Sequence, residues 1–101
     1  MNAIDLASKM GISSETLSLA IRVDNNSLIA NPRDQRWQPQ LRDVVDLWGN
    51  LVLLFGEEAD ARAFLRQARP ELQGKAPLEY LEQGRPNVVR NLALAMRESL
   101  P

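Results

Sequence analysis

The chain has no cysteine and no histidine among its 101 residues. Without cysteine it has no disulfide staples, no thiolate nucleophile and no Cys-type zinc site. Without histidine it lacks the usual general base near neutral pH and the commonest metal ligand. Long apolar runs are missing too: the longest, Leu51 to Phe55, falls far short of a membrane span, and the N-terminus shows no signal-peptide pattern. Neither sign of charge dominates. The net charge is −1, with five Lys/Arg against six Asp/Glu in residues 1–50 and seven against seven thereafter, which leaves no large electrostatic footprint for nucleic acid. No nucleophile-elbow, P-loop or metal-ligand spacing appears. Glu57 and Glu58 are paired carboxylates in name only, because neighbours on a helix point apart. These absences predict a cytoplasmic protein with no membrane contact, no cofactor, no metal and no catalytic group of its own.

What is present is helical patterning. A chain of this length forms one compact domain, or a short head on a larger body, and buries roughly two-thirds of its unfolded surface. Residues 2–22 read as two short helices around a turn. Ile4, Leu6, Ala7 and Met10 form the first apolar set, Gly11 suits a left-handed turn, and Ser13 is a good N-cap. Leu17, Ala20 and Ile21 line the second helix. Ala7, Gly11, Ile12, Leu17 and Ala20 have the spacing of a helix-turn-helix. From Asp24 to Gln38 the pattern dissolves into turn chemistry, with Leu28, Ile29 and Trp37 as anchors. The longest helix follows at 39–55, striped by Leu41, Val44, Val45, Trp48, Leu51, Val52 and Phe55. A helix over about 57–68 buries Ala61, Phe64, Leu65 and Ala68 and stops at Pro70. A short one opens at Pro77 and closes at Gly84. The last runs from about Pro86 to Glu98 with Val88, Val89, Leu92, Ala93, Ala95 and Met96 inward. The predicted architecture is all-α: a reduced helix-turn-helix segment over 1–30, a linker over 31–38, and a small four-helix module over 39–101.

Three surfaces stand out as candidate contacts. On the second helix, Ser14, Glu15, Thr16, Ser18, Leu19 and Arg22 lie on or near the side that would enter a DNA groove. Residues 1–30 nonetheless hold two cations, Lys9 and Arg22, against three acids, a thin supply for phosphate neutralisation. On the longest helix, Leu47, Leu53 and Leu54 are surplus to the apolar stripe. They form a homodimer seam, seat the N-terminal head, or mark a helix buried on several sides. On the last helix, Arg90, Leu94 and Arg97 fall within about 60° of one another, opposite the apolar arc. An apolar side chain between arginines is the composition of a partner hot spot. Lys75 and Arg85 sit at turns beside Gly74 and Gly84.

One stretch has a more specific look. Phe55-Gly56-Glu57-Glu58, then Ala61-Arg62-Ala63-Phe64-Leu65, then Leu72-Gln73-Gly74-Lys75-Ala76-Pro77-Leu78-Glu79-Tyr80-Leu81 resembles the C-terminal domain of Xre/MbcA/ParS-type antitoxins, over roughly residues 41–98. The resemblance departs from the family pattern at Phe64, where tryptophan is usual, at Ala76, where threonine is usual, and at Glu98-Ser99, where a glycine is usual. It implies a type II antitoxin that binds and blocks a RES-type, NAD-consuming toxin and regulates its own operon. Toxin contacts would then fall on Lys75, Arg90, Leu94, Arg97 and Glu98, with Ser99, Leu100 and Pro101 as an inserting tail. Operator contacts would fall on Ser14, Thr16, Ser18 and Arg22, and a homodimer is expected. The alternative is a helix-turn-helix transcriptional regulator with no toxin, its C-terminal module serving for dimerisation.

Overall fold

Asn2 opens the first helix. Its side-chain oxygen accepts from the backbone N–H groups of Ile4 and Asp5, at 2.9 and 3.2 Å, filling two of the donors that every helix start leaves without a partner. In the computed structural model, which describes residues 1–99, helix α1 spans Ala3–Met10 and ends on Gly11 in the left-handed region. Ser13 then caps α2, Ser14–Ile21, by accepting from the Thr16 N–H at 3.0 Å.

The stretch expected to be irregular is more ordered than its composition suggests. Asp24 accepts from the Ser27 N–H and starts α3, Asn25–Ala30. Asp34 does the same for a 3₁₀ turn over Gln35–Trp37, accepting from Arg36. Asp, Asn and Ser serve turns and helix starts by the same local hydrogen bonds, so composition does not separate the two. Leu28 and Trp37 are buried, while Ile29 stays half exposed. The Arg36 side chain donates to the Asp34 carboxylate and its backbone N–H does likewise, which holds that carboxyl below its ordinary range.

Helix α4, Gln38–Phe55, has Pro39 in its first turn and buries Leu41, Val44, Leu47, Trp48 and Leu51. Val45, Val52 and Phe55, expected in the buried stripe, are only partly covered. Helix α5, Glu58–Leu65, is shorter than its apolar spacing predicts, and Ala68 is exposed. Pro70 drives Arg69 into extended backbone, φ −132° and ψ 137°, because a residue before proline avoids the helical region. The chain leaves the helix early to reach that conformation. A 3₁₀ turn over Pro70–Leu72 and an isolated bridge between Arg69 and Lys75 lead to α6, Pro77–Glu82. The Glu79 carboxylate accepts from the Ala76 N–H at 2.7 Å. That is one half of a capping box, since alanine has no side-chain oxygen to return the bond. Helix α7, Pro86–Glu98, is the last element among the described residues. Only Val89 and Ala93 of its expected arc are fully buried, and Ala95 is exposed.

Among the described residues the protein is all-helical, with no strand, and no helix is long and apolar enough to cross a membrane. One hydrophobic cluster runs from Ala3 to Ala93, so the first thirty residues share their core with the rest. Helix α1 lies on α4 and α5, α2 on α6, and α4 on α7. Arginines reinforce these contacts at helix ends, where carbonyls lack partners. Arg62 donates to the Lys9 carbonyl at 3.0 Å and Arg66 to that of Gly11. Arg22 donates twice to the Gly84 carbonyl, at 3.3 and 3.2 Å. The radius of gyration is 13.2 Å, the value of a single folded unit of about 100 residues.

A candidate partner-binding face on helices α4 and α7

Helices α4 and α7 pack side by side and run in the same direction. Asp43 and Leu47 lie beside Pro86, Asn87 and Arg90 at one end. Farther along, Asp46, Gly49, Asn50 and Leu53 lie beside Arg90 and Leu94. At the far end Arg97 donates to the Asn50 side-chain oxygen at 2.6 Å. The open groove between the two helices therefore has Asp43 and Asp46 on its α4 side, Arg90 and Arg97 with Glu98 on its α7 side, and Leu53 and Leu94 along its length. Leu53 is 73% exposed, the most exposed of the large apolar residues among those described.

Gly49 shapes this groove. It sits inside the longest helix, where glycine costs about 1 kcal/mol relative to alanine. No packing demand accounts for it, because a Cβ built there meets nothing within 4 Å. Its effect is to leave a gap in the wall between Leu53 and Leu94.

The structure gathers Arg90, Leu94 and Arg97 as expected, but it does not leave Leu94 standing free. Leu94 is half-buried and lines the groove together with Val45, Asp46, Gly49, Asn50 and Leu53 of α4. Glu98 adjoins Leu94 and Arg97 at the helix end. Ser99 closes the helix, its hydroxyl donating to the Met96 carbonyl. Leu100 and Pro101 lie outside the described residues. Lys75 is placed elsewhere: its ammonium stands 6.0 Å from the Tyr80 ring, with the Arg85 guanidinium 5.5 Å from the same ring. The Tyr80 hydroxyl donates to the Leu72 carbonyl and pins that corner. No hydrogen bond or ion pair among the described residues joins Lys75 to the α4–α7 groove.

On α2 the expected set is divided. Ser14 and Thr16 are partly exposed near the helix start, and the Thr16 hydroxyl accepts from that of Ser13. Ser18 is a correction: it is 3% exposed, and its hydroxyl donates to the Glu15 carbonyl at 2.6 Å. Helix α6 covers that side of α2, so the serine cannot face a groove. Arg22 is exposed, but its guanidinium is held by the Gly84 carbonyl.

Asp46 and Asn50 carry no signal of their own in the sequence. Leu53 does, as an apolar residue off the stripe, and Val45 does as part of it. Gly49, a glycine in the middle of a strong helix, is a further legible hint. Among the described residues no group of acidic side chains is clustered to hold a metal ion. No family model, characterised protein or solved structure matches the chain.

Proposed function

We propose that this protein is the antitoxin of a type II toxin–antitoxin pair: a non-catalytic binder that captures and blocks a RES-type, NAD-consuming toxin. In this reading α1, Gly11 and α2 form a reduced helix-turn-helix head that contacts the operator. Helices α4 to α7 form the four-helix toxin-binding module. The observation that carries it is the α4–α7 face, where Leu53 and Leu94 flank an unfilled gap at Gly49 between Arg90 and Arg97. An exposed leucine and a half-buried one beside two arginines have the make-up of an interface hot spot. Keeping a glycine in mid-helix with no packing reason is understandable if a partner side chain fills the gap. The resemblance in the sequence supports the same reading, since its most specific segment falls on the turn and helix start from Leu72 to Leu81, next to α7 in the fold.

A regulator without a toxin is the second reading, favoured by the tight α1–Gly11–α2 pair and weakened by the burial of Ser18 and the tethering of Arg22. One co-purification experiment separates the two. The chain is co-expressed with the neighbouring gene product, alongside an Arg90→Glu/Leu94→Ala variant. Capture by the wild type, its loss in the variant and unchanged helicity by circular dichroism are expected. Undiminished capture by the variant refutes the face. Absence of any captured partner, together with retention on promoter DNA, favours the regulator.

A further inference from the structure

We propose that the cleft between α1 and α4 binds a free α-amino acid with an aliphatic side chain. The cleft has a volume of about 300 Å³ and is lined by Met1, Asp5, Leu6, Lys9, Val45 and Trp48. That volume is at the lower end of small-ligand sites. The cleft is separate from the α4–α7 groove, since Val45 is the one lining residue the two share.

The lining is of two kinds. Leu6 and Trp48 are buried and Val45 is half-buried, and they form an apolar floor. Asp5 and Lys9 are exposed and lie one turn apart on α1. An acid four residues before a lysine ordinarily pairs with it along a helix. Among the described residues no ion pair includes either side chain or the Met1 amino group. The charged atoms of Asp5 and Lys9 therefore stand more than 4 Å apart. Neighbouring charges do not fill that space. Arg62, at the end of α1, donates to the Lys9 carbonyl and pairs with Glu58 at 3.5 Å. Arg42 and Asp46, on either side of Val45 along α4, do not line the cleft.

A carboxylate and an ammonium held apart over an apolar floor match a ligand that carries the opposite pair on neighbouring atoms. An α-amino acid is such a ligand. Its ammonium reaches Asp5, its carboxylate reaches Lys9, and its side chain enters between Leu6, Val45 and Trp48. Both charge-assisted bonds form without the two protein side chains having to meet. A ligand of a single charge would satisfy one of them and face its own sign at the other. The small volume favours an aliphatic side chain over a bulkier aromatic one.

Neither toxin nor operator enters the test, so its outcome is independent of the reading above. The purified chain is titrated with L-leucine and followed by NMR. Saturable shifts centred on the amides of Asp5, Leu6, Lys9 and Val45 and on the Trp48 indole are expected, with a dissociation constant of about 0.1–1 mM. Glycine lacks the side chain, N-acetyl-leucine the ammonium and leucinamide the carboxylate; each should bind about tenfold more weakly. Asp5→Asn and Lys9→Gln, both at exposed positions, should keep wild-type helicity and weaken leucine binding about five- to tenfold. Asp5→Asn should also narrow the gap between leucine and N-acetyl-leucine, and Lys9→Gln that between leucine and leucinamide, which a merely structural role would not do. No saturable shift at leucine concentrations tenfold above the expected constant overturns the proposal. So does any of the three analogues binding as tightly as leucine, or leucine binding that both variants leave unchanged.

Discussion

Replacing Gly84 with alanine probes the joint between the first thirty residues and the remainder. Gly84 has φ +70°, and an added Cβ would lie 3.2 Å from the Leu19 carbonyl oxygen and 2.9 Å from Arg22 Nε. The left-handed conformation costs an L-residue about 1–2 kcal/mol. The methyl group also displaces the Arg22 guanidinium, which donates twice to the Gly84 carbonyl. These bonds are exposed, so their loss adds about 1 kcal/mol in all. The sum is a destabilisation of about 2–3 kcal/mol, read as a lower urea midpoint at constant slope. Gly56→Ala is the internal control. Gly56 has φ +83°, but a Cβ there meets nothing within 4 Å, so only the backbone cost of about 1–2 kcal/mol applies. On an Arg22→Ala background the excess of Gly84→Ala over Gly56→Ala should shrink, since the displaced group is already gone. If the two glycine variants lose the same stability within about 0.5 kcal/mol, the close approach of α2 to the α6–α7 turn contributes nothing and the reasoning fails.

Two further outcomes follow from single positions. Gly49→Ala should stabilise the fold by about 0.5–1 kcal/mol in urea unfolding, because helix propensity rises and the site has open space; a loss of stability would show that the gap is structural. The Asp34 carboxyl should titrate below ordinary aspartates by NMR, because Arg36 donates to it from its side chain and backbone. A folded pKa below the unfolded one means its contribution is present above the unfolded value and fades as pH falls through the folded value. Arg36→Ala should move that titration upward, and an unmoved titration would count against the pairing.

Much of the architecture was legible in local chemistry. Ser13 and the proline at 77 announced helix starts, Gly11 and Gly84 announced stops, and apolar spacing marked most of the buried sides of α1, α2 and α4, although Ile4 of the first set lies exposed. Where the reading slipped, the same residues served two purposes. Asp24 and Asp34 looked like turn residues and proved to be caps of α3 and a 3₁₀ turn. Ala68 fitted the α5 stripe, but the proline two residues later reshaped the backbone before that turn could form. Leu47, Leu53 and Leu54 were indistinguishable in sequence. They ended fully buried, exposed and half-buried respectively, according to which helix came to lie against each.

By itself, then, the order of residues determined the helical class, most helix boundaries and the absence of cysteine and histidine. These are matters of short range: a cap bonds within three residues, and amphipathic spacing repeats within a turn or two. Only the tertiary structure decided that the first thirty residues share one core with the rest, that α6 shuts Ser18 away from solvent, and that α7 lies along α4 to build a groove over Gly49. Those outcomes depend on contacts between residues far apart in the chain, such as Arg22 with Gly84, 62 positions away. No local period encodes such pairings; they arise when helices bury their apolar sides against whichever neighbours the chain can bring to them.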